Sequence, residues 1–197
     1  MEKKLEVSII SPVFNERENL KTFVDSVIKV MHSTDMSWEL IVVDDGSDDG
    51  STTVIKELTN QDNIKCLLLA KNYGQTTAIQ AGFDNAIGQY LVTLDSDLQN
   101  DPKDIPALLH KLIEEELDLV VGWRKNRKDN YFLRNLPSSI ANKLIGNITG
   151  VKLHDYGCSL KAYRADVLKE VRLYGEMHRF IPAWMATKIP ASKISEL

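Results

Sequence analysis

The sequence has little cysteine and no excess of positive charge. Its two cysteines, Cys66 and Cys158, stand far apart and match no metal-ligand or redox spacing. Buried free thiols in a reducing cytosol are therefore favoured over a disulfide. The formal net charge of −4 argues against a general nucleic-acid-binding protein, because no basic excess exists to neutralise phosphates. An acidic protein can still bind anionic substrates where a divalent cation or a local basic patch supplies the charge.

Long apolar runs are absent as well. No run approaches the roughly 20 residues that span a bilayer, and the first residues lead into a strand-like segment rather than a signal peptide. Among the 197 residues, 43% are hydrophobic and 26% are charged, which is typical of a globular protein. Since no linker, repeat or low-complexity segment interrupts the chain, we expect one soluble domain over residues 1–197.

Short apolar runs alternate with helical patterns over the first two-thirds of the chain. This alternation predicts an α/β fold with a mostly parallel central sheet and helices on both faces. The predicted strands are Val7–Val13, Trp38–Val43, Ile64–Leu69, Tyr90–Leu94 and Leu117–Val121. Asn15 and Glu18 have the spacing of a capping box at the start of a helix. Further helices are predicted over Ser51–Leu58 and Gln75–Ile87, the latter with Gly88 as its C-cap.

Polar sequences follow three of these strands, at the edge where a parallel sheet places its ligand sites. They are Pro12-Val13-Phe14-Asn15-Glu16 at the first strand, Asp44-Asp45-Gly46-Ser47 at the second and Asp95-Ser96-Asp97-Leu98-Gln99 at the fourth. We expect the three ends to open onto one crevice. Carboxylates gathered there repel one another unless a cation or hydrogen-bond donors lie among them.

Asp95 and Asp97 form an Asp-x-Asp pair that can reach one hard cation if the backbone turns there. Mg²⁺ or Mn²⁺ suits such oxygen ligands and is typically held by one or two carboxylates plus substrate phosphates. Gln99 adds a neutral oxygen at the same spacing. The alternative is an Asp-rich turn without a ligand, which is the commoner meaning of an isolated Asp-x-Asp. The position beside another acidic strand end favours the metal site.

Asp45 and Phe14 point to a site for a nucleobase. The Asp45 carboxylate would accept a hydrogen bond from a base with an N–H at that edge, uracil or guanine, while the Phe14 ring stacks on the base. Lys71 and Asn72, after the third strand, would form another wall of this pocket. The alternative for Asp44–Ser47 is turn chemistry, because aspartate and glycine favour turns by themselves.

Five segments, in this order, resemble the family-2 glycosyltransferases, which have the nucleotide-binding fold called GT-A. They are Ser11–Glu16, Val43–Ser47, Lys71–Gln75, Asp95–Gln99 and Asp155–Arg164, so the resemblance covers nearly the whole chain. Within that family the sequence is most similar to polyprenyl-phosphate glycosyltransferases, the dolichol-phosphate mannosyltransferase group and its bacterial undecaprenyl-phosphate relatives. The resemblance implies a Rossmann-like GT-A fold and transfer of a sugar from a nucleotide to a lipid-linked phosphate.

The resemblance also implies roles for the residues of the donor site. Those that would line the nucleoside pocket are Pro12, Phe14, Glu16 and Asp45. Those that would hold a Mg²⁺ or Mn²⁺ ion bridging the two phosphates of a UDP- or GDP-sugar are Asp95, Asp97 and Gln99. The resemblance does not decide between the two nucleotides, nor which sugar they carry.

For the acceptor, the lipid-phosphate branch has an arginine after the fifth strand and an Arg-x-x-x-Ser pair on the next helix. Arg124, Arg134 and Ser138 match that pattern and would grip the acceptor phosphate. The surrounding segment, Trp123–Arg134, mixes aromatic and basic residues in a way that suits an anionic membrane surface. The alternative for such a run is a solvated charged face.

The implied reaction is attack of a phosphate oxygen on the anomeric carbon, with inversion. Because an ionised phosphate is already a nucleophile at neutral pH, the main task of Arg124 and Arg134 is to hold it in line. If the acceptor were a sugar hydroxyl, a carboxylate base would be needed, and Asp155 is the first candidate. The alternative for Asp155 is a structural role in the loop around Gly157.

The family pattern continues beyond the last residue here, into a further basic loop and, in many bacterial members, transmembrane helices. A truncated catalytic domain acting at the cytoplasmic face of a membrane is therefore expected. The alternatives are a soluble family-2 enzyme acting on a glycan hydroxyl and a catalytically inactive sugar-nucleotide-binding subunit. A nucleotidyltransferase is disfavoured because Ser11–Glu16 contains no glycine. The oligomeric state is open, a homo-oligomer included.

Overall fold

Runs rich in β-branched residues form the central sheet. The computed structural model describes residues 5–58, 61–124, 146, 149–168 and 171–197. Its strands are β1 (Val7–Val13), β2 (Trp38–Asp44), β3 (Ile64–Leu68), β4 (Tyr90–Thr93), β5 (Leu119–Val121), β6 (Lys161–Arg164) and β7 (Ile194–Glu196). Within the described residues they make one seven-stranded sheet in the order β3-β2-β1-β4-β6-β5-β7.

The sheet is mostly parallel, as the sequence pattern predicts. β1 lies between β2 and β4 and is parallel to both, β3 is parallel to β2, and β7 is parallel to β5. β6 is the exception and runs antiparallel to its neighbours β4 and β5. Val13 lies opposite Asp44, and Ile10 lies opposite Thr93, so the carboxyl ends of β1, β2 and β4 lie together at one edge.

Helices connect the strands and cover the sheet. Those in the described residues are α1 (Arg17–Met31), α2 (Ser51–Leu58), α3 (Gln75–Asn85), α4 (Ile105–Glu114), α5 (Ala165–Leu168) and α6 (Ile181–Met185). Every residue of β1 and β2 is buried, so both faces of the sheet are covered there. The buried face of α1 follows i, i+3, i+4, i+7 spacing and consists of Leu20, Phe23, Val24, Val27 and Met31. No helix in these ranges has both the length and the apolar character required to cross a bilayer.

The predicted capping box at the start of α1 is wrong. The helix begins at Arg17, with Glu16 as its N-cap residue and no side-chain cap hydrogen bond. Asn15 has a φ of 56°, and its side-chain oxygen accepts from the backbone N–H of Asp48 rather than from the first turn of α1. A tertiary partner has therefore displaced the local one.

The predicted C-cap at Gly88 is also wrong. α3 ends at Asn85, and its cap is Ala86 in an extended conformation. Gly88 serves a different purpose, because a Cβ there would lie 2.5 Å from the backbone nitrogen of Ser8. The glycine lets the chain before β4 pass close to β1, where its N–H donates to the Ser8 hydroxyl over 2.9 Å.

Candidate active site

A pocket of about 280 Å³ opens where β1, β2 and β4 end. It is lined by the three strand ends and by the loop between β3 and α3: Pro12, Val13, Phe14, Glu16, Asp45, Asn72, Gly74, Gln75, Asp95, Ser96 and Asp97. The prediction that three polar strand ends share one crevice is confirmed. Two of the predicted donor-site residues, Lys71 and Gln99, are exposed and are not part of this lining.

Side-chain hydrogen bonds fasten the end of β1 to the loop after β2. Asn15 and Asp48 exchange two of them: Asn15 Nδ2 donates to Asp48 Oδ1 over 2.9 Å, and the Asp48 N–H donates to Asn15 Oδ1 over 3.0 Å. The Asn15 N–H donates to Ser47 Oγ over 3.0 Å. This pairing holds the adjacent Phe14, which is 45% exposed, at the mouth of the pocket.

The adjacent aspartates at the end of β2 have different partners. Asp44 accepts from the Ser47 N–H and from the Thr52 hydroxyl, so its carboxylate serves the turn between β2 and α2. Asp45 lines the pocket and accepts from the N–H groups of Tyr73 and Gly74, each over 2.8 Å. Turn chemistry thus accounts for Asp44, whereas Asp45 joins the pocket to the loop after β3.

Gly46 lets that loop approach β2 closely. Its φ is +73°, and a Cβ there would lie 2.4 Å from the carbonyl carbon of Lys71. Gly175 has a similar φ of +57° but open space around it. Substitutions at these two glycines therefore distinguish the cost of backbone strain, which both share, from the cost of steric contact, which only Gly46 has.

We expect Gly46→Ala to lower the free energy of unfolding by about 1–2 kcal/mol more than Gly175→Ala does. Both substitutions carry the strain of left-handed backbone, but only Gly46→Ala also pushes two chain segments apart. Urea denaturation of the two variants measures the difference. Equal losses would show that the Gly46 contact has no weight in stability.

Asp95 and Asp97 both line the pocket just beyond β4. Burial, together with the nearby charge of Asp97, raises the pKa of Asp95 above its ordinary value. Gln75 Nε2 donates to Asp95 Oδ1 over 2.7 Å, and the Gln99 N–H donates to Asp97 Oδ1 over 3.0 Å. Leu98, between Asp97 and Gln99, has a φ of 61°, so the backbone turns just after the two aspartates.

These carboxylates fit a divalent cation in company with other ligands. Within the described part of the chain, no group of three His, Cys, Asp or Glu side chains is arranged to hold a metal ion. Mg²⁺ and similar divalent cations typically bind one or two carboxylates, and substrate phosphates and water complete the coordination shell. Asp95 and Asp97 supply that partial set of ligands. Gln99 contributes its backbone N–H to Asp97, and its role as a metal ligand stays a prediction.

Arg124, three residues beyond β5, is held by Asp155. Its Nε donates to Asp155 Oδ2 over 2.8 Å and its Nη2 to Asp155 Oδ1 over 3.1 Å, a two-point ion pair. The side chains are only 18% and 10% exposed. Burial opposes the charge of Arg124, but its bonds to Asp155 outweigh burial and hold the pKa of Arg124 above its ordinary value. Asp155 thus orients the guanidinium with both of its oxygens.

Most of the basic aromatic segment Trp123–Arg134 lies outside the described residues, and so do Arg134 and Ser138. Trp123 is described, and its ring stacks on that of His154, with centroids 4.2 Å apart and planes 12° apart. His154 in turn pairs with Glu196 next to it. One face of the Trp123 ring is therefore covered by protein.

Sequence reasoning missed Lys161 as a member of this region. Its side chain is buried in the sheet, its ammonium donates to the Cys158 carbonyl, and burial lowers its pKa to about 8. Its positive charge, with that of Arg124, acts on Asp95. The position of a lysine between Leu160 and Ala162-Tyr163 is a signal that could have revealed it.

Sequence reasoning also missed the role of Gln75 in the pocket. It stands in one of the five segments that carry the family resemblance, yet nothing near it in sequence reveals that its amide donates to Asp95. Only the sheet, which places the loop after β3 beside the end of β4, creates that contact.

Residues 8–172 match the family described as glycosyl transferase family 2. The chain belongs to this family, and the resemblance drawn from the five segments is confirmed.

Within the family, similar proteins act on polyprenyl phosphates according to their names. The chain is 53% identical over 197 residues to the dodecaprenyl-phosphate galacturonate synthase of Rhizobium johnstonii, covering 99% of this chain and 58% of that protein. It is 42% identical over 183 residues to the undecaprenyl-phosphate 4-deoxy-4-formamido-L-arabinose transferase of Proteus mirabilis, covering 92% and 56%. The chain therefore spans just over half the length of these relatives.

Solved structures share the fold at low identity. Mannosyl-3-phosphoglycerate synthase from Rubrobacter xylanophilus superposes with a TM-score of 0.81 at 13% identity, over 98% of this chain and 64% of that one. Glucosyl-3-phosphoglycerate synthase from Mycobacterium tuberculosis, in complex with Mn²⁺, uridine diphosphate and glucosyl-3-phosphoglycerate, superposes with 0.73 at 18% identity, over 98% and 69%. The predicted GT-A fold is therefore confirmed.

Proposed function

We propose that the protein is an inverting glycosyltransferase that moves a sugar from a UDP- or GDP-sugar to a polyprenyl phosphate, with the help of a divalent cation. The observation that carries this proposal is the joint lining of one pocket by Phe14, Asp45, Asp95 and Asp97. An aromatic face and a hydrogen-bond acceptor suit a nucleobase, and a pair of carboxylates suits a metal-bound diphosphate. The names of the two polyprenyl-phosphate relatives support the acceptor.

The base would stack on Phe14 and donate an N–H to Asp45. Each Asp45 oxygen accepts one backbone hydrogen bond, which leaves a lone pair on each for a ligand. Pro12, Glu16 and Asn72 also line the pocket and would complete its nucleoside side. Lys71 would contact the donor only from outside the lining, because its ammonium lies near the Tyr73 ring, 5.3 Å from the centroid.

Asp95, Asp97 and Gln99 would hold Mg²⁺ or Mn²⁺. Such an ion, when bound, stabilises negative charge on a departing nucleoside diphosphate. The structures of similar fold that contain Mn²⁺ support this part of the proposal. The chain itself contributes two carboxylates whose positions are fixed by hydrogen bonds from Gln75 and from the Gln99 backbone.

The acceptor phosphate would be gripped by Arg124, with Arg134 and Ser138 as further expected contacts. An oxygen of that phosphate forms a bond to the anomeric carbon of the sugar. The bond from this carbon to the diphosphate oxygen breaks, and its electron pair leaves with the nucleoside diphosphate. Since the guanidinium of Arg124 is held at two points by Asp155, little ordering remains to be done when the phosphate binds.

A hydroxyl acceptor is less well supported. It would require a carboxylate to take its proton, and the sequence offered Asp155 for that task. In the structure both Asp155 oxygens accept hydrogen bonds from Arg124, which suits a positioning role better than a base.

Because polyprenyl phosphates are membrane lipids, we place the reaction at a membrane surface, on its cytoplasmic face.

The donor site is tested by titrating the purified protein with uridine and guanosine diphosphates, each with and without Mn²⁺. We expect one nucleotide to bind in a Mn²⁺-dependent manner and Asp97→Ala to weaken that binding by at least about tenfold. The control is Asp25→Ala, because Asp25 is an exposed carboxylate on α1. Failure of the folded protein to bind either nucleotide would overturn the donor proposal.

The acceptor is tested separately, by offering polyprenyl phosphate and the corresponding polyprenol with the nucleotide-sugar that binds. Transfer to the phosphate alone is expected, because the polyprenol carries a hydroxyl where the phosphate would be held by Arg124. Equal transfer to the polyprenol would overturn the phosphate acceptor.

A further inference from the structure

Gln75 joins two parts of the pocket that are far apart in sequence. It is the first residue of α3 and lines the pocket. Its side-chain amide donates to Asp95 Oδ1 over 2.7 Å. The contact connects the loop after β3 to the carboxylate at the end of β4.

The backbone just before Gln75 is fixed from the other side of the pocket. Asp45 accepts the N–H groups of Tyr73 and Gly74, each over 2.8 Å. Gly74 has a φ of 93°, a conformation that suits glycine and that directs the chain into α3. Because Asp45 is only 3% exposed and directly follows β2, it fastens the start of α3 to the end of that strand.

Asp95 requires such support. It is partly buried and it shares the pocket with Asp97, so two negative charges lie at the same strand end. A side-chain hydrogen bond from Ser159 also stabilises the charged Asp95 carboxylate, and the amide donor of Gln75 fixes the position of Oδ1. Partners of this kind, one step removed from a metal, typically set the orientation of the carboxylate that binds it.

We propose that Gln75 is a positioning residue that holds Asp95 in the orientation needed for cation binding and ties that orientation to the Asp45 side of the pocket. This inference rests on the proposed function, since it assigns Asp95 to a divalent-cation site. Gln75 itself touches neither the cation nor the reacting atoms. It acts through the hydrogen bond to Asp95.

The test is Gln75→Met, which keeps the length of the side chain and its helical preference but removes the amide donor. Mn²⁺ binding is measured by calorimetry in the presence of the nucleotide that binds, and we expect the affinity to fall by about 10- to 100-fold. The Mn²⁺ concentration for half-maximal transfer should rise in parallel, while kcat at saturating Mn²⁺ changes by less than about threefold. The melting temperature should stay near that of the parent.

The matched control is Gln80→Met on the same helix. Gln80 also donates its amide to an aspartate, Asp84, over 2.8 Å, and its Oε1 accepts from the Leu173 N–H, but it is not part of the pocket lining. We expect this variant to bind Mn²⁺ as the parent does.

Three results would overturn the inference, and they are distinguishable. If Gln75→Met binds Mn²⁺ within twofold of the parent, Gln75 has no positioning role and the proposed function stands. If both glutamine variants weaken Mn²⁺ binding equally, the effect belongs to α3 in general. If the parent itself binds no Mn²⁺ with either nucleotide, the metal-dependent function falls together with the inference.

Discussion

Replacing Lys161 with methionine is expected to stabilise the folded protein by about 2–3 kcal/mol near pH 7. Burial lowers the pKa of Lys161 from 10.5 to about 8, and one pKa unit corresponds to about 1.4 kcal/mol. Keeping this ammonium charged in the interior therefore costs roughly 3 kcal/mol by that relation. Methionine has a similar length and no charge, so most of the cost disappears.

The same substitution should flatten the pH dependence of stability. The groups whose charges act on Lys161 are Cys158, Asp95, Asp155 and Arg124. Folded Lys161 loses its proton near pH 8, whereas the unfolded chain keeps it to about 10.5. Between these values the unfolded state binds more protons, so the parent gains stability as pH rises. The advantage of Lys161→Met is thus fully present below pH 8 and lost above about 10.5.

Urea denaturation at pH 7 and at alkaline pH measures this difference. The control is Lys21→Met on the exposed side of α1, which should match the parent at both values. A variant at Lys161 that is less stable than the parent at pH 7 would contradict the expectation. Transfer activity should fall in Lys161→Met although stability rises, because the charge beside Asp95 is lost.

Replacing Arg124 alone is the second substitution that we expect to change stability strongly. Arg124→Met leaves the mostly buried Asp155 carboxylate without its two-point partner, and breaking such a pair costs about 3 kcal/mol. Adding Asp155→Asn removes the carboxylate charge that Arg124 no longer balances, so the double variant should recover much of this loss. The cycle of Arg124→Met, Asp155→Asn and the double variant, followed by urea denaturation, measures the coupling.

The ranking of these variants by transfer activity should differ from their ranking by stability. Both variants that lack Arg124 are expected to lose at least about 100-fold in kcat/KM for polyprenyl phosphate, because the acceptor is no longer held in line. Their affinity for the nucleotide should remain near that of the parent. A double variant that regains both stability and transfer would contradict the assignment of Arg124 to the acceptor.

The sequence predicted the strands that build the site because each is a local signal. Val7–Val13 is observed with the predicted bounds, and polar residues follow β1, β2 and β4 as expected. Strand ends were less accurate, since the predicted strand over Leu117–Val121 begins only at Leu119. Leu117 belongs instead to the turn after α4, since its N–H donates to the Leu112 carbonyl over 2.9 Å.

The errors and omissions have one physical origin, which is competition from partners distant in sequence. Asn15 has the local pattern of a helix cap, yet Asp48 takes its side chain. Gly88 resembles a helix terminator, yet its small size is used against Ser8. Lys161 is ordinary by composition, and only the insertion of β6 between β4 and β5 buries it. The short stretch of sequence around each of these residues does not contain its partner.

The position of β6 in the sheet also affects the order in which the strands can pair during synthesis. A ribosome releases β4 and β5 well before Lys161–Arg164, the strand that must lie between them. Until then the nascent chain carries β4 with an unpaired edge, open to association with other chains. During synthesis β4 and β5 therefore remain unconnected until β6 is available. The same strand contains Lys161, whose buried positive charge acts on Asp95. The site is therefore complete only after β6 has been synthesised.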